Sequence, residues 1–150
     1  NWREGLEAAL TAFHTVARLA GETLSKDDIE CEFLLAPHRP PTRLAPGRMA
    51  VYCFWAEGSW LKIGKVGPNS GPRYTSQHYN LGSARSTLAG SLVNCPQMGT
   101  RFQANPHAVK DWIKASCCRA NVLLPATRSG ELLSLLEAFL HARLRPRYEH

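Results

Sequence analysis

The sequence predicts an α+β fold, a small β-sheet flanked by helices, with a helix and a strand added at the N-terminus. Two segments, residues 2–20 and 129–144, carry apolar side chains at the three- and four-residue spacing of amphipathic helices. Residues 49–55 and 60–66 are apolar runs rich in β-formers, and the turn residues between them indicate a β-hairpin. A chain of 150 residues, 44% of them hydrophobic, is long enough to bury a core.

The N-terminal part predicts the added helix and strand. Asn1 can cap the helix over residues 2–20, and Gly21 can end it. Residues 29–35 alternate polar and apolar side chains, which is typical of a half-buried strand.

A proline-rich connection over residues 37–47 follows the added strand. It divides the chain into an N-terminal segment, residues 1–48, and a larger unit, residues 49–150. The connection either separates an accessory segment from the main unit or crosses one face of a single domain, and the pattern leaves both open.

The remaining elements follow the hairpin in order. A helix is expected over residues 72–79, because proline is favoured at the first helical position. A short helix around residues 87–92 and a helix from Asn105-Pro106 to about residue 117 come next. Residues 121–124 predict a short strand, and the helix over residues 129–144 is stopped by a proline.

The net charge of +6 is unevenly distributed. Residues 1–32 carry three Lys or Arg against seven Asp or Glu, whereas residues 33–150 carry fifteen against five. Thirteen of the eighteen basic residues are arginines, which pair well with phosphates and guanine edges. The charge fits a polyanionic partner such as nucleic acid, or it serves solubility alone. No apolar run is long enough for a membrane span.

Five cysteines at irregular spacing argue against a disulfide framework. Free thiols indicate a reducing compartment, so a cytoplasmic location is expected. The start of the sequence does not resemble a signal peptide, and the absence of an initiator Met is compatible with a piece of a longer chain. A metal site at His107, Cys117 and Cys118 is the alternative use of these thiols, although adjacent cysteines suit zinc poorly.

Glu137 is the most informative single residue. In a helix it shares a face with four leucines, so it lies on or beside the apolar stripe: Leu133, Leu136, Leu140 and Leu144. An ionised carboxylate there is costly unless it is paired or bound to a metal. The alternative is a border residue that reaches solvent and pairs with His141.

Other candidate residues lie on the hairpin and on the helix after it. Along the second strand, Lys62 and Gly64 face one side and Lys65 faces the other. A glycine within a strand indicates close approach of another group or a bulge. On the following helix, Arg73 and His78 are cations that can contact a phosphate or remain on the surface.

Taken together, these residues resemble the GIY-YIG nuclease family. Its first motif matches Ala50-Val51-Tyr52, and its second matches Lys62-Ile63-Gly64 with Lys in place of the first Tyr. The helical Arg of the family matches Arg73, and its metal-binding Glu matches Glu137. The lysine is similar to that of the restriction-endonuclease branch, and the resemblance covers about residues 49–147.

The resemblance implies hydrolysis of a DNA phosphodiester with one Mg²⁺ or Mn²⁺ held by Glu137. Tyr52 would be the general base, and Lys62 would favour its phenolate by charge. Arg73 would bind a non-bridging phosphate oxygen. Lys65 and His78 would help to position the water or the phosphate. A restriction or phage-defence role is the function expected from this branch.

Double-stranded DNA is the expected substrate, and side chains that read or grip it are expected in loops. The candidates are Arg85, Arg101, Gln103, Asn105, Arg145 and Arg147. Cutting both strands with one site per chain favours a homodimer or two successive nicks. The alternatives are a nucleic-acid-binding module with an inactive site, a protein-interaction domain, and the metalloprotein described above.

Overall fold

The computed structural model of the chain describes residues 1–82, 84 and 86–148. It confirms the α+β class, with one four-stranded antiparallel sheet and helices on both of its faces. In chain order the elements are α1 (Trp2–Leu19), β1 (Glu30–Leu34), β2 (Arg48–Ala56), β3 (Ser59–Val66), α2 (Gly71–Thr75), α3 (Leu88–Asn94), α4 (Pro96–Gly99), α5 (Ala108–Ser116), β4 (Cys118–Pro125) and α6 (Gly130–Leu144). No helix within these described residues is both long and apolar enough to span a membrane.

The strand order is β1-β4-β2-β3, so β1 and β3 form the edges of the sheet. The predicted N-terminal additions are confirmed as elements of this sheet and its packing. β1 pairs with β4, and α1 packs against α6, where the rings of Phe13 and Phe139 lie 5.8 Å apart. Residues 1–48 therefore share both a sheet and a hydrophobic cluster with the rest of the chain.

Alternating side chains of the sheet supply two hydrophobic clusters, one on each face. Val51, Cys53 and Ile63 pack with α1 and α6. Tyr52, Phe54 and their neighbours pack with residues of α2, α3 and α5. The strands thus divide the core into two layers, and every strand position has a defined side.

The hairpin between β2 and β3 turns at two residues with positive φ, Glu57 at 51° and Gly58 at 78°. This is the backbone of a type I′ turn, whose twist matches that of the flanking strands. The register shifts by one residue between Phe54 and Trp55, and beyond this irregularity Tyr52 lies opposite Gly64 and Phe54 opposite Lys62.

The helix expected over residues 72–79 is broken in two. Ser76 has φ −132° and ψ −31°, so α2 ends at Thr75 and residues 77–79 form a 3₁₀ turn. The break turns His78 and Tyr79 into the core while Arg73 stays half-exposed. α4 was not predicted, α5 begins at Ala108 rather than at Asn105-Pro106, and β4 is longer than the predicted strand.

The outer edge of β3 is covered by the C-terminal part of the chain. The backbone N–H groups of Arg147 and Tyr148 donate to the carbonyls of Trp60 and Leu61 at 2.9 Å. The ring nitrogen Nε2 of His141 donates to the carbonyl of Ile63 at 2.7 Å. α6 and the residues after it are therefore fastened along this strand.

Arg119 on β4 is the largest fully buried side chain, and within the described residues it has no carboxylate partner. Its guanidinium donates to three acceptors: Oδ1 of Asn121 at 2.8 Å, the hydroxyl of Tyr79 at 3.2 Å and the backbone carbonyl of Tyr74 at 2.7 Å. Its Cζ atom also lies 5.1 Å from the ring centroid of Phe54. Hydrogen bonds and aromatic faces replace the water that the buried cation has lost.

Replacing Arg119 with Met should destabilise the fold by at least about 3 kcal/mol, since three buried acceptors lose their donor. Urea unfolding of both proteins measures this difference. Arg48→Met is the control, because the one salt bridge found for Arg48 among the described residues is to the exposed Glu30 at 3.2 Å and its loss should cost about 1 kcal/mol or less. Equal losses for the two variants would contradict the central role of Arg119.

Candidate active site

A polar cleft of about 250 Å³ opens at the outer edge of β3, between α2 and α6. It brings together five of the six predicted catalytic residues, which arrive from four different elements. The lining residues are Tyr52, Lys62, Ile63, Gly64, Lys65, Arg73, Glu137 and His141. The cleft wraps around the edge strand, because Lys62 and Gly64 belong to one face of β3 and Lys65 to the other.

Tyr52 lies across the backbone of Gly64 on the neighbouring strand. A β-carbon on Gly64 would overlap both the hydroxyl oxygen and Cζ of Tyr52. The glycine is therefore required for close approach of an aromatic ring and is not a bulge. The Tyr52 side chain is 1% exposed, and its hydroxyl end reaches the cleft.

The cation that contacts the Tyr52 hydroxyl is Arg73. Burial raises the pKa of Tyr52, while the charge of Arg73 and its hydrogen bond to the phenolic oxygen lower it, and the net direction is upward. The charge of Glu137 also raises the pKa, and buried Arg119 lowers it slightly. Arg73 is therefore the cation whose charge favours the Tyr52 phenolate, a role that the sequence interpretation assigned to Lys62.

Lys62 and Lys65 are held by different parts of the chain. Lys62 is 2% exposed, and its Nζ donates to the carbonyl of Tyr148 at 3.2 Å. Lys65 is exposed, and its Nζ donates to Oγ of Ser134 on α6 at 2.6 Å. The two ammonium groups therefore approach the cleft from opposite faces of the edge strand.

Glu137 is half-exposed rather than buried, at the border of the apolar side of α6. Among the described residues no hydrogen bond or salt bridge to its carboxylate is found. Of the described residues that line the cleft, it is the one acidic side chain, against three Lys or Arg. A carboxylate in this setting is available to a cation that arrives from solution.

His141 is a lining residue that sequence reasoning did not assign to the site. Its Nε2 donates to the carbonyl of Ile63, so this ring nitrogen carries a hydrogen. The sequence feature that could have identified His141 is its four-residue spacing from Glu137, which puts both side chains on one helical face. In the sequence this spacing was read as a surface pair.

His78 lies behind Tyr52 and is not among the residues that line the cleft. Its ring centroid is 4.4 Å from that of Tyr52, and Nδ1 accepts the backbone N–H of Leu88 at 3.0 Å. Burial, then the charges of Arg73, Arg119 and Lys62, lowers the pKa of His78 to about 2. A neutral imidazole here packs against the tyrosine and caps the start of α3.

The residues predicted to grip DNA are dispersed. Arg101 pairs with Glu57 at 2.6 Å, and Nη2 of Arg147 donates to Oε1 of Gln97 at 3.0 Å. Gln103 and Asn105 are exposed in the loop before α5, and Arg145 is exposed where α6 ends. Arg85 lies outside the described residues. None of them lines the cleft in the described part of the chain.

The alternative metal site at His107, Cys117 and Cys118 finds no support in the geometry. Among the described residues, no group of three or more His, Cys, Asp or Glu side chains is placed to hold a metal ion. Cys117 is buried, and burial raises the pKa of its thiol to about 12. The five cysteines are free.

Comparison with known proteins gives no assignment. No family model, no curated protein and no solved structure matches the chain. The site is therefore interpreted from its own geometry and chemistry.

Gly64→Ala should displace Tyr52 and destabilise the protein by about 1–3 kcal/mol, the range for overpacking in a close-packed core. In a Tyr52→Ala background the added methyl meets no ring, and the same change should cost much less. Urea unfolding of the four proteins in this cycle measures the coupling. Equal costs in both backgrounds would show that the ring does not require the glycine.

Acid should destabilise the fold through His78. In the unfolded chain its pKa is near 6.5, so below that pH the unfolded state binds a proton that the folded state does not. Stability should fall by about 1.4 kcal/mol per pH unit from this group. His78→Asn keeps an acceptor for the N–H of Leu88 and removes the titration, so its unfolding free energy should vary less with pH. Equal pH slopes for the two proteins would refute this.

Proposed function

We propose that this chain is a metal-dependent DNA endonuclease that hydrolyses phosphodiester bonds in the cleft beside β3, in a restriction or phage-defence role. One observation carries the proposal: Tyr52, Lys62, Arg73 and Glu137, separated by up to 85 positions, line one polar cleft. Each residue alone has a structural explanation. Their convergence at a single opening is what a reaction centre requires.

The charge of the cleft fits a phosphodiester. Within the described part of the chain, three of the residues that line the cleft are Lys or Arg and one is acidic. Fixed cations that face a phosphate stabilise the negative charge that grows in the transition state of hydrolysis. The excess of positive charge over residues 33–150 would attract DNA to the protein.

The donor set fits a single Mg²⁺ or Mn²⁺ that is shared with the substrate. Mg²⁺ is commonly bound by one or two carboxylates together with water and substrate phosphate oxygens. Glu137 offers such a carboxylate, with no competing ion pair found among the described residues. A bound metal would supply Lewis-acid stabilisation of the phosphate and the leaving oxygen.

The other side chains of the cleft can supply the general base and the phosphate contacts. Tyr52 would accept the proton of the attacking water, and Arg73 would favour the phenolate through its hydrogen bond. Burial of Tyr52 opposes that ionisation, so the basic form is a minority at neutral pH. Lys62, whose Nζ donates to the carbonyl of Tyr148, would also hold a non-bridging phosphate oxygen.

Glu137→Gln should abolish cleavage. Supercoiled plasmid incubated with the wild type and Mg²⁺ or Mn²⁺ should be nicked or linearised, and EDTA should stop the reaction. The variant should be slower by at least about 100-fold, with unchanged DNA binding in a gel-shift assay. Glu131→Gln is the matched control, since Glu131 is exposed in the first turn of the same helix.

The outcomes separate the competing functions. Cleavage by Glu137→Gln at the rate of Glu131→Gln would overturn the assignment of the site. DNA binding by the wild type without any cleavage would instead favour a nucleic-acid-binding module with an inactive site.

A further inference from the structure

A second polar pocket, of about 220 Å³, lies on the Tyr52 side of the sheet, next to the candidate active site. Its walls come from β1, β4, α2 and the proline-rich connection: Glu32, Leu34, Arg39, Pro41, Thr42, Arg43, Tyr74 and Asn121. Neither the resemblance nor the proposed reaction uses this pocket. Two of its side chains, Arg39 and Arg43, are exposed guanidinium groups.

The sheet register places this pocket beside the cleft. On one face of the sheet, Gly64 lies opposite Tyr52, Tyr52 opposite Asn121, and Asn121 opposite Glu32. Three strand spacings of about 4.8 Å separate the ends of this row, so the two pockets lie within roughly 15 Å of each other. Tyr52 of the cleft and Asn121 of the second pocket lie on neighbouring strands. α2 joins them directly, because Arg73 lines the cleft and the next residue lines the second pocket.

The connection that carries both arginines is anchored to the core. His38, 8% exposed, hydrogen-bonds through Nε2 to the hydroxyl of Tyr79 and through Nδ1 to the carbonyl of Cys117, both at 2.7 Å. Its backbone N–H donates to the carbonyl of Lys114 at 2.8 Å. Prolines 40 and 41 restrict the backbone between the arginines. The guanidinium groups are therefore presented on a constrained segment.

The electrostatics of the pocket favour an anion. Neither Arg39 nor Arg43 has an ion pair or hydrogen bond among the described residues. Glu32 is the acidic side chain in the lining, and its carboxylate accepts a hydrogen bond from the hydroxyl of Tyr74 at 3.3 Å. Two guanidinium groups around a small polar pocket are the arrangement that binds a phosphate.

We propose that Arg39 and Arg43 bind a second backbone phosphate of the DNA whose scissile phosphate occupies the cleft. This inference rests on the proposed function. Phosphates of one strand wind around the helix axis as they rise about 3.4 Å per nucleotide, so they are farther apart through space than along the axis. A separation within this range corresponds to roughly one or two nucleotides. The N-terminal segment would then help to align the substrate, which gives a reason for its place in the sheet.

The test is the salt dependence of binding to a short labelled DNA duplex, with EDTA present to prevent cleavage. For the double variant Arg39→Ala/Arg43→Ala, the slope of log K against log[salt] should fall in magnitude by about 1, and affinity should fall about five- to tenfold. Arg18→Ala/Lys26→Ala removes the same charge from exposed positions in the acidic N-terminal region. That control should keep the slope of the wild type.

A second variant tests the nature of the ligand. Glu32→Gln should tighten binding about two- to fivefold, because it removes one negative charge beside the phosphate. Weaker binding by this variant would overturn the proposal, since a group that needs the carboxylate, such as a base edge, would then occupy the pocket.

The inference and the proposed function fail in different ways. A wild type that cleaves DNA, together with a double variant whose salt slope is unchanged, would overturn the second phosphate contact alone. A wild type that does not bind DNA would overturn both. The inference would also be overturned if the Arg18→Ala/Lys26→Ala control reduced the slope as much as the double variant does. The reduction would then come from the loss of net charge and not from a specific phosphate contact.

Discussion

The buried guanidinium of Arg119 is the constraint on which the arrangement of this molecule depends. A cation removed from water must be surrounded by acceptors or aromatic faces, and a core offers few. Arg119 takes a backbone carbonyl from α2, a hydroxyl from the 3₁₀ turn and an amide oxygen from its own strand. These bonds hold α2 against the middle of the sheet. Arg73 directly precedes Tyr74, whose carbonyl accepts one of these bonds, so the same contact positions Arg73 at the cleft.

On the same face of the sheet, neighbouring side chains hold Tyr52 in place by packing. Gly64 leaves room for the ring of Tyr52, His78 supports that ring from behind, and Arg73 contacts the hydroxyl. Each contact places a neighbouring residue as well as the tyrosine itself. A cleft at a sheet edge also needs side chains from both faces of one strand, which Lys62 and Lys65 provide.

Much of the fold was predictable because its elements have strong local periodicity. The hairpin, α1, α6 and the opposite directions of Lys62 and Lys65 follow from alternation and from helical spacing. Arg119 was not predictable in this way. Two of its three acceptors, on Tyr79 and Tyr74, lie 40 and 45 positions earlier in the chain, so a local pattern does not show them.

The limits of the site prediction have similar physical causes. The break at Ser76 depends on how Tyr79 and His78 pack, so a helical pattern alone did not reveal it. His141 lines the cleft because its ring reaches the carbonyl of Ile63, a contact between distant segments. Lys62 was identified by resemblance, whereas the cation on Tyr52 proved to be Arg73, which lies 21 positions further along than the tyrosine.

The bonds that fasten residues 141–148 along β3 have a consequence for the behaviour of the protein in concentrated solution. An open strand edge is a template on which another chain can add, and the carbonyls of Trp60, Leu61 and Ile63 are already occupied. The opposite edge, β1, is five residues long and carries Glu30 and Glu32, a length and charge that discourage pairing. Both margins of the sheet are thus protected against edge-to-edge aggregation, and a chain shortened within residues 141–148 would expose one of them.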